Sequence, residues 1–101
     1  LAALYLFLKG YRIRARRLRR PPIEIDILAQ KGDTLVLVEV KFRATADAAA
    51  LAPSWHDRAR LARAAEILLA EARWRDTARN ARVDIVALAP WTWPRHIQNI
   101  Q

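Results

Sequence analysis

The 101-residue chain has no cysteine, no methionine, two glycines, two histidines, and ten acids against eighteen Lys and Arg. Without cysteine, neither a disulfide framework nor a thiolate metal site can form. With so few histidines, a metal site would have to be built from carboxylates, which suit magnesium or manganese better than zinc. No Gly-rich phosphate loop is present, which disfavours a nucleotide-dependent enzyme. No apolar run approaches the ~20 residues of a membrane span. Leu1 to Leu8 is apolar, but no basic region precedes it and no small-residue cleavage site follows, so it does not read as a signal peptide. A cytoplasmic protein with no membrane partner is expected. Because position 1 is not methionine, the chain is expected to lack its native start.

The length fits one domain over residues 1–101, and an apolar fraction of 53% is enough for a real core. The net charge of +8, mostly from arginine, points to a polyanionic partner, nucleic acid first and an acidic membrane surface second.

The informative stretch is IEIDILAQKGDTLVLVEVKFR, residues 23–43. Two Ile/Val/Leu-rich runs flank Gly32-Asp33, a two-residue hairpin signal of type II′ with glycine first. This loop sets Lys31 opposite Thr34, Asp26 opposite Glu39 and Glu24 opposite Lys41. Because side chains alternate faces along a strand, Glu24, Asp26, Glu39 and Lys41 should share one face, with Ile25, Ile27, Val38 and Val40 on the other. Facing carboxylates repel, so such a pair needs a shared proton or a cation between its members. A hard divalent ion, Mg²⁺ or Mn²⁺, with Lys41 beside it to meet an anion, accounts for this set. The plainer alternative is an exposed hairpin with a Glu24–Lys41 surface pair. The apolar context of Glu39 and Lys41 favours the first.

Leu1 to Lys9 reads as a well-buried helix stopped by Gly10. Tyr11 to Arg20 alternates apolar and basic residues as a half-buried strand. Lys9 to Arg20 holds seven Lys or Arg and no acid. Its Arg12, Arg14, Arg16, Arg17, Arg19 and Arg20 form either a solvated edge or, as we favour, a phosphate-contacting strip. Pro21-Pro22 ends that strand. Residues 43–52 read as a loop, beginning at Arg43, beside the charged strand ends. Ser54 with Asp57 resembles a capping box. It opens a helix to about Trp74 whose apolar stripe is Leu61, Ala65, Leu68, Leu69 and Ala72. On that helix Arg58 and Arg60 could meet a phosphate, and Glu71 should pair with Arg75. Arg82 to Ala89 and Arg95 to Ile100 read as strands, the second anchored by Ile97 and Ile100, with Asp84 an ion-pair or edge residue. Trp91 and Trp93 could stack on bases, but covering an end of the core is the favoured expectation, and His56 and His96 are expected to be surface or capping residues. The order α-β-β-β-α-β-β gives an α/β fold, a central mixed sheet with helices packed on it.

The motifs AALYLFLKGYRIRARRLR, EIDILAQKGDTLVLVEVKFR, and ARVDIVAL followed by HIQNI resemble the YraN-like bacterial family. That family belongs among the PD-(D/E)xK nucleases of restriction-endonuclease-like fold, related to Holliday-junction resolvases. The resemblance implies that Asp26, Glu39 and the Val40 carbonyl hold the metal, that Lys41 orients the attacking water, and that Glu24 is an auxiliary acid. It departs from the pattern in three places. Ile23 stands where a glycine usually precedes Glu24, the first-helix acid would precede Leu1, and Arg58 or Arg60 stands for a lysine. The resemblance implies a metal-dependent endonuclease acting on DNA, branched DNA included. The basic pattern of the chain places the expected nucleic-acid contacts at Arg12, Arg14, Arg16, Arg17, Arg19, Arg20, Arg43, Arg58 and Arg60. A homodimer would suit a resolvase, which makes two cuts. The alternatives are a non-catalytic nucleic-acid-binding module on the same fold and a small structural domain with a basic surface.

Overall fold

A computed structural model describes residues 1–21, 23–44, 55–75 and 77–100. The expected loop over 45–52 and the Ser54 cap lie outside these residues. In chain order the elements are α1 (Ala2–Leu8), β1 (Arg12–Arg20), β2 (Ile23–Lys31), β3 (Thr34–Phe42), α2 (Trp55–Ala70), α3 (Ala72–Arg75), β4 (Asn80–Leu88) and β5 (Arg95–Ile97). The strands form one sheet in the order β1-β2-β3-β4-β5. β3 and β4 are parallel and the other neighbours antiparallel, so this is the expected mixed α/β architecture.

Two apolar layers cover the two faces of the sheet. Leu61, Ala64, Ala65 and Leu68 of α2, with Trp74, pack on Ile23, Ile25, Leu28, Leu35, Leu37, Val83 and Ile85. On the other face Ala2 and Leu6 of α1, with Tyr11, pack on Ile27, Ala29, Val36, Val38 and Val86. β3 and β4 are buried on both faces, which is why their sequences read as unbroken apolar runs. The α2 stripe differs from expectation at its end. The helix breaks at Glu71, which leaves Ala72 exposed and brings Trp74 into the core. Glu71 pairs with Arg20 at 2.8 Å rather than with Arg75.

α1 ends in a Schellman arrangement. Tyr11 N–H donates to the Leu6 carbonyl and Gly10 N–H to that of Phe7, with Gly10 at φ 94, the conformation glycine adopts at least cost. The helix is less buried than its composition suggests: only Ala2 and Leu6 are buried, while Leu4, Phe7 and Leu8 are exposed. It touches the sheet along one stripe, and seven residues cannot turn every side chain inward. The tryptophan expectation also fails. Trp91 and Trp93 are 101% and 87% exposed, in the turn between β4 and β5. Trp91 has φ 63, and the turn carries both rings clear of the core.

Asp84 is the expected ion-pair partner, held by Arg82, but His96 is not the surface residue expected. Far from the surface, they form a buried knot, with side-chain exposures of 0% for Asp84 and 2% for His96. Asp84 accepts from His96 Nε2 at 2.7 Å, from Arg82 through both oxygens at 2.9 Å, and from Asn99 N–H at 2.9 Å. Arg82 also donates to the Tyr11 hydroxyl at 2.8 Å, and Lys9 Nζ lies 2.6 Å from His96 Nδ1. The knot fastens the turn between α1 and β1, β4, β5 and Asn99, next to which Ile100 is buried as expected. Burial raises the Asp84 pKa, but the hydrogen bonds from His96, Arg82 and Asn99 outweigh it and leave the carboxyl below its ordinary value of 3.8.

A carboxyl with a depressed folded pKa contributes stability that is full above the unfolded value and is lost as pH falls through the folded one. Urea denaturation at neutral pH should therefore show Asp84→Ala costing about 3–5 kcal/mol, as expected when one member of a buried ion pair is removed. Asp84→Asn should also lose the part of the acid destabilisation below about pH 4 that this carboxyl causes.

Candidate functional site

The site begins as a disagreement within the hairpin. Lys31 pairs with Thr34, and the register runs on to Ile27 opposite Val38, as Gly32-Asp33 dictates. Gly32 has φ 61 while Asp33 is not among the positive-φ residues, as a II′ turn requires. Pairing then stops. Asp26 does not face Glu39, and Glu24 does not face Lys41. Beyond Ile27 β2 stays with β1, where Leu18 pairs with Ile25 and Arg20 with Ile23. Beyond Val38 β3 stays with β4, where Glu39 pairs with Ile85 and Lys41 with Ala87. The sheet forks where continued pairing would have set two carboxylates against each other.

Asp26 sits at the crotch of this fork. Its Oδ2 accepts from Val40 N–H at 2.9 Å, so a side chain replaces the missing ladder bond. Its Oδ1 lies 3.1 Å from Arg19 Nη2. Around Asp26 β2 changes face: Ile25 packs in the α2 layer and Ile27 in the α1 layer, correcting their expected shared face. β1 follows with a register shift between Ile13 and Ala15 and a left-handed φ of 52 at Arg17. This bulge also interrupts the simple alternation expected of β1.

Glu39 and Lys41, two residues apart, both meet the first turns of α2. Arg60 Nη2 lies 3.1 Å from Glu39 Oε2 and 3.8 Å from Asp57 Oδ1, and its Nη1 donates to the Glu24 carbonyl at 2.7 Å. Lys41 Nζ lies 3.6 Å from Asp57 Oδ2. Arg19, Glu24, Asp26, Glu39, His56, Asp57 and Arg60 line an open cleft of about 340 Å³. Three of the expected acids thus share one cleft with Lys41 at its side, although they do not stand in one facing row. The sequence reading missed Asp57, whose place in a capping pattern hid a second use. It also took His56 for a plain surface residue, and His56 is exposed but at this cleft. The spacing Asp57-x-x-Arg60 at a helix start was the available signal.

Glu24, Asp26, Glu39 and Asp57 offer hard carboxylate oxygens, the chemistry Mg²⁺ or Mn²⁺ prefers, beside the one imidazole of His56. Among the described residues no three acids or histidines are gathered as a ligand set. Arg19 and Arg60 instead neutralise Asp26 and Glu39, so a metal ion would compete with two guanidinium groups.

The basic residues divide by partner. Arg14 is bonded to Gln30 and lies over the Trp74 ring at 5.0 Å. Arg19, Arg20 and Arg60 are ion-paired, and Arg43 donates to the Phe42 carbonyl. Arg12, Arg16, Arg17 and Arg58 are exposed and form no ion pair among the described residues. Of these, Arg16 and Arg17 line a second cleft that meets the first at Arg19 and Asp26.

Fold and cleft together define a mixed α/β domain with a carboxylate-and-cation cluster at a strand fork. Residues 1–88 match the profile of the Uncharacterised protein family UPF0102. A UPF0102 protein of Methylorubrum extorquens (strain PA1) is 48% identical over 99 residues, covering 98% of this chain and 77% of the relative. UPF0102 proteins of Sinorhizobium medicae (strain WSM419) and Mesorhizobium japonicum are 48% and 46% identical, each over 78% of the relative and over 95% and 98% of this chain. The chain belongs to this family, the YraN-like one.

The clasp at Asp26 has a consequence independent of any activity. Asp26→Ala leaves the Val40 N–H without its partner and should cost about 1–3 kcal/mol in urea denaturation. Asp26→Asn keeps an acceptor and should cost less than about half of that.

Proposed function

We propose that this protein is a metal-dependent endonuclease that hydrolyses a phosphodiester in DNA, branched DNA included, on a PD-(D/E)xK type of scaffold. The observation that carries this reading is the meeting of Asp26, Glu39 and Asp57 in one open cleft, with Lys41 held beside them, on a chain of net charge +8. Held by Asp26, Glu39 and the Val40 carbonyl, Mg²⁺ or Mn²⁺ would supply an acidified water and neutralise charge on the phosphoryl group. Lys41 is poised by Asp57 to orient the attacking water and to hold negative charge as it develops on the phosphoryl oxygens. Glu24 lines the same cleft as an auxiliary acid. Arg60, released from Glu39, is long enough to take a phosphate oxygen from within the same cleft. The remaining arginines would hold the backbone, so binding should weaken steeply with salt.

A second reading has its own support. Arg19 and Arg60 already satisfy Asp26 and Glu39, as they would in a non-catalytic nucleic-acid-binding module whose carboxylates are structural.

Plasmid and branched DNA incubated with Mg²⁺ or Mn²⁺ separate the two. For the nuclease, Glu39→Gln and Lys41→Ala should each lower cleavage by roughly 100-fold or more. If both cut like wild type, the activity belongs to a contaminant and the nuclease reading falls. DNA binding that survives Glu39→Gln, with no Mn²⁺ uptake by calorimetry, would select the binding module. On the nuclease reading, Arg60→Met should tighten Mn²⁺ binding in the same calorimetric titration, because the competing guanidinium is gone.

A further inference from the structure

The second cleft, on the α1 side of the fork, has a volume of about 330 Å³, and its lining includes Arg16, Arg17, Arg19, Ile27, Phe42 and Leu88. We propose that it seats one unpaired nucleotide of a nucleic-acid strand, the base on the apolar wall of Ile27, Phe42 and Leu88 and the phosphate at Arg16 and Arg17. This deepens the nucleic-acid reading above and rests on it.

Four observations lead there. The volume lies at the small end for ligand sites, about what one nucleotide fills and too small for a stacked pair. The cleft has an apolar wall and a cationic rim, the two chemistries a nucleotide presents together. Phe42 is 73% exposed at the end of β3. An aromatic ring left in water beside arginines is the kind of surface on which an unstacked base gains stacking energy. Arg16 and Arg17 form no ion pair among the described residues, whereas Arg19 and Arg20 are ion-paired and Arg14 is bonded to Gln30, so the first two need not give up a partner to meet a phosphate.

Arg17 adds a fifth point. It holds φ 52, a conformation that costs an ordinary residue roughly 1–2 kcal/mol and that glycine would adopt freely. The fold keeps an arginine there, at the rim of the cleft. Finally, Arg19 and Asp26 line both clefts. A strand seated at Arg17 would therefore lead its next phosphate towards the carboxylates.

Fluorescence anisotropy of labelled oligonucleotides, with the full chain and EDTA so that no cleavage intervenes, tests this. A duplex with a single-stranded gap should bind about tenfold more tightly than the fully paired duplex, in line with one stacked base. Phe42→Ala should bring that ratio to about one while leaving affinity for the paired duplex unchanged. Arg17→Gly, which relieves the backbone, should fold with an undiminished Tm. It should weaken binding to both probes and lower the slope of log K against log salt by about one. The assignment is overturned if wild type shows no preference for the gapped probe, or if Phe42→Ala keeps it. It is also overturned if a nucleoside monophosphate displaces the labelled strand at concentrations equal to an unlabelled oligonucleotide, since the cleft would then serve free nucleotides. A gap preference without Mg²⁺-dependent cleavage would sink the nuclease reading alone. Cleavage without a gap preference would sink this assignment alone.

Discussion

The hydrogen bond from Val40 N–H to Asp26 holds open a fork in the sheet, and the rest of the site follows from it. A hairpin whose ladder simply continued would set Asp26 against Glu39 and lose stability to like-charge repulsion. Separation leaves backbone donors unpaired, which is costly near a core. One carboxylate resolves both problems by moving to the crotch and accepting the orphaned N–H. β2 can then follow β1, β3 can follow β4, and the gap between them admits the first turns of α2. The same pivot puts Ile25 and Ile27 in opposite layers, so the fork is locked by packing on both faces.

Charge is then sorted by where each arginine lies relative to the fork. Arg19 and Arg60 enter it and neutralise carboxylates. Arg14 and Arg20 run back along the sheet to Gln30 and Glu71. Arg16 and Arg17 stay at the rim with open valence for an anion. A count of basic residues in β1 does not distinguish these fates, because each depends on which acid the chain brings within reach. The paired cations hold the carboxylates in a compact arrangement, and any divalent ion must compete with them. The unpaired ones are the group for which phosphate is the cheapest partner.

The Asp84 knot shows the contrasting use of the same residue types. There a carboxylate is fully removed from water and compensated by Arg82, His96 and a backbone N–H, so that no hydrogen-bonding valence is left for a ligand. The cleft carboxylates keep part of their surface in water, and their ion pairs lie at 3.1 to 3.8 Å. Burial thus separates a structural ion cluster, which gains nothing from opening, from a site whose contacts can be exchanged.

Much of this was legible in the chain itself. The α-β-β-β-α-β-β order, the hairpin register to Ile27 and Val38 and the Gly10 helix stop all follow from local chemistry: apolar periodicity, glycine at positive φ, and a two-residue turn. Asp26 and Glu39 do reach one cleft, but through the fork and not through the facing register that the turn predicts. What the sequence could not carry was every contact between distant segments. Asp57 and Arg60 reach Glu39 and Lys41 only because the crossover through α2 returns the chain to the fork, and His96 becomes buried only because β5 lies against β4. The exposed Trp91 and Trp93, and the partial burial of α1, depend likewise on how much surface the sheet has to offer. The sequence by itself determined the strands, the turn that aligned them and the charges they carry. Tertiary structure alone decided where the ladder ends and which cation meets which acid, because repulsion, desolvation and packing act through space, between groups whose spacing along the chain says nothing of their distance.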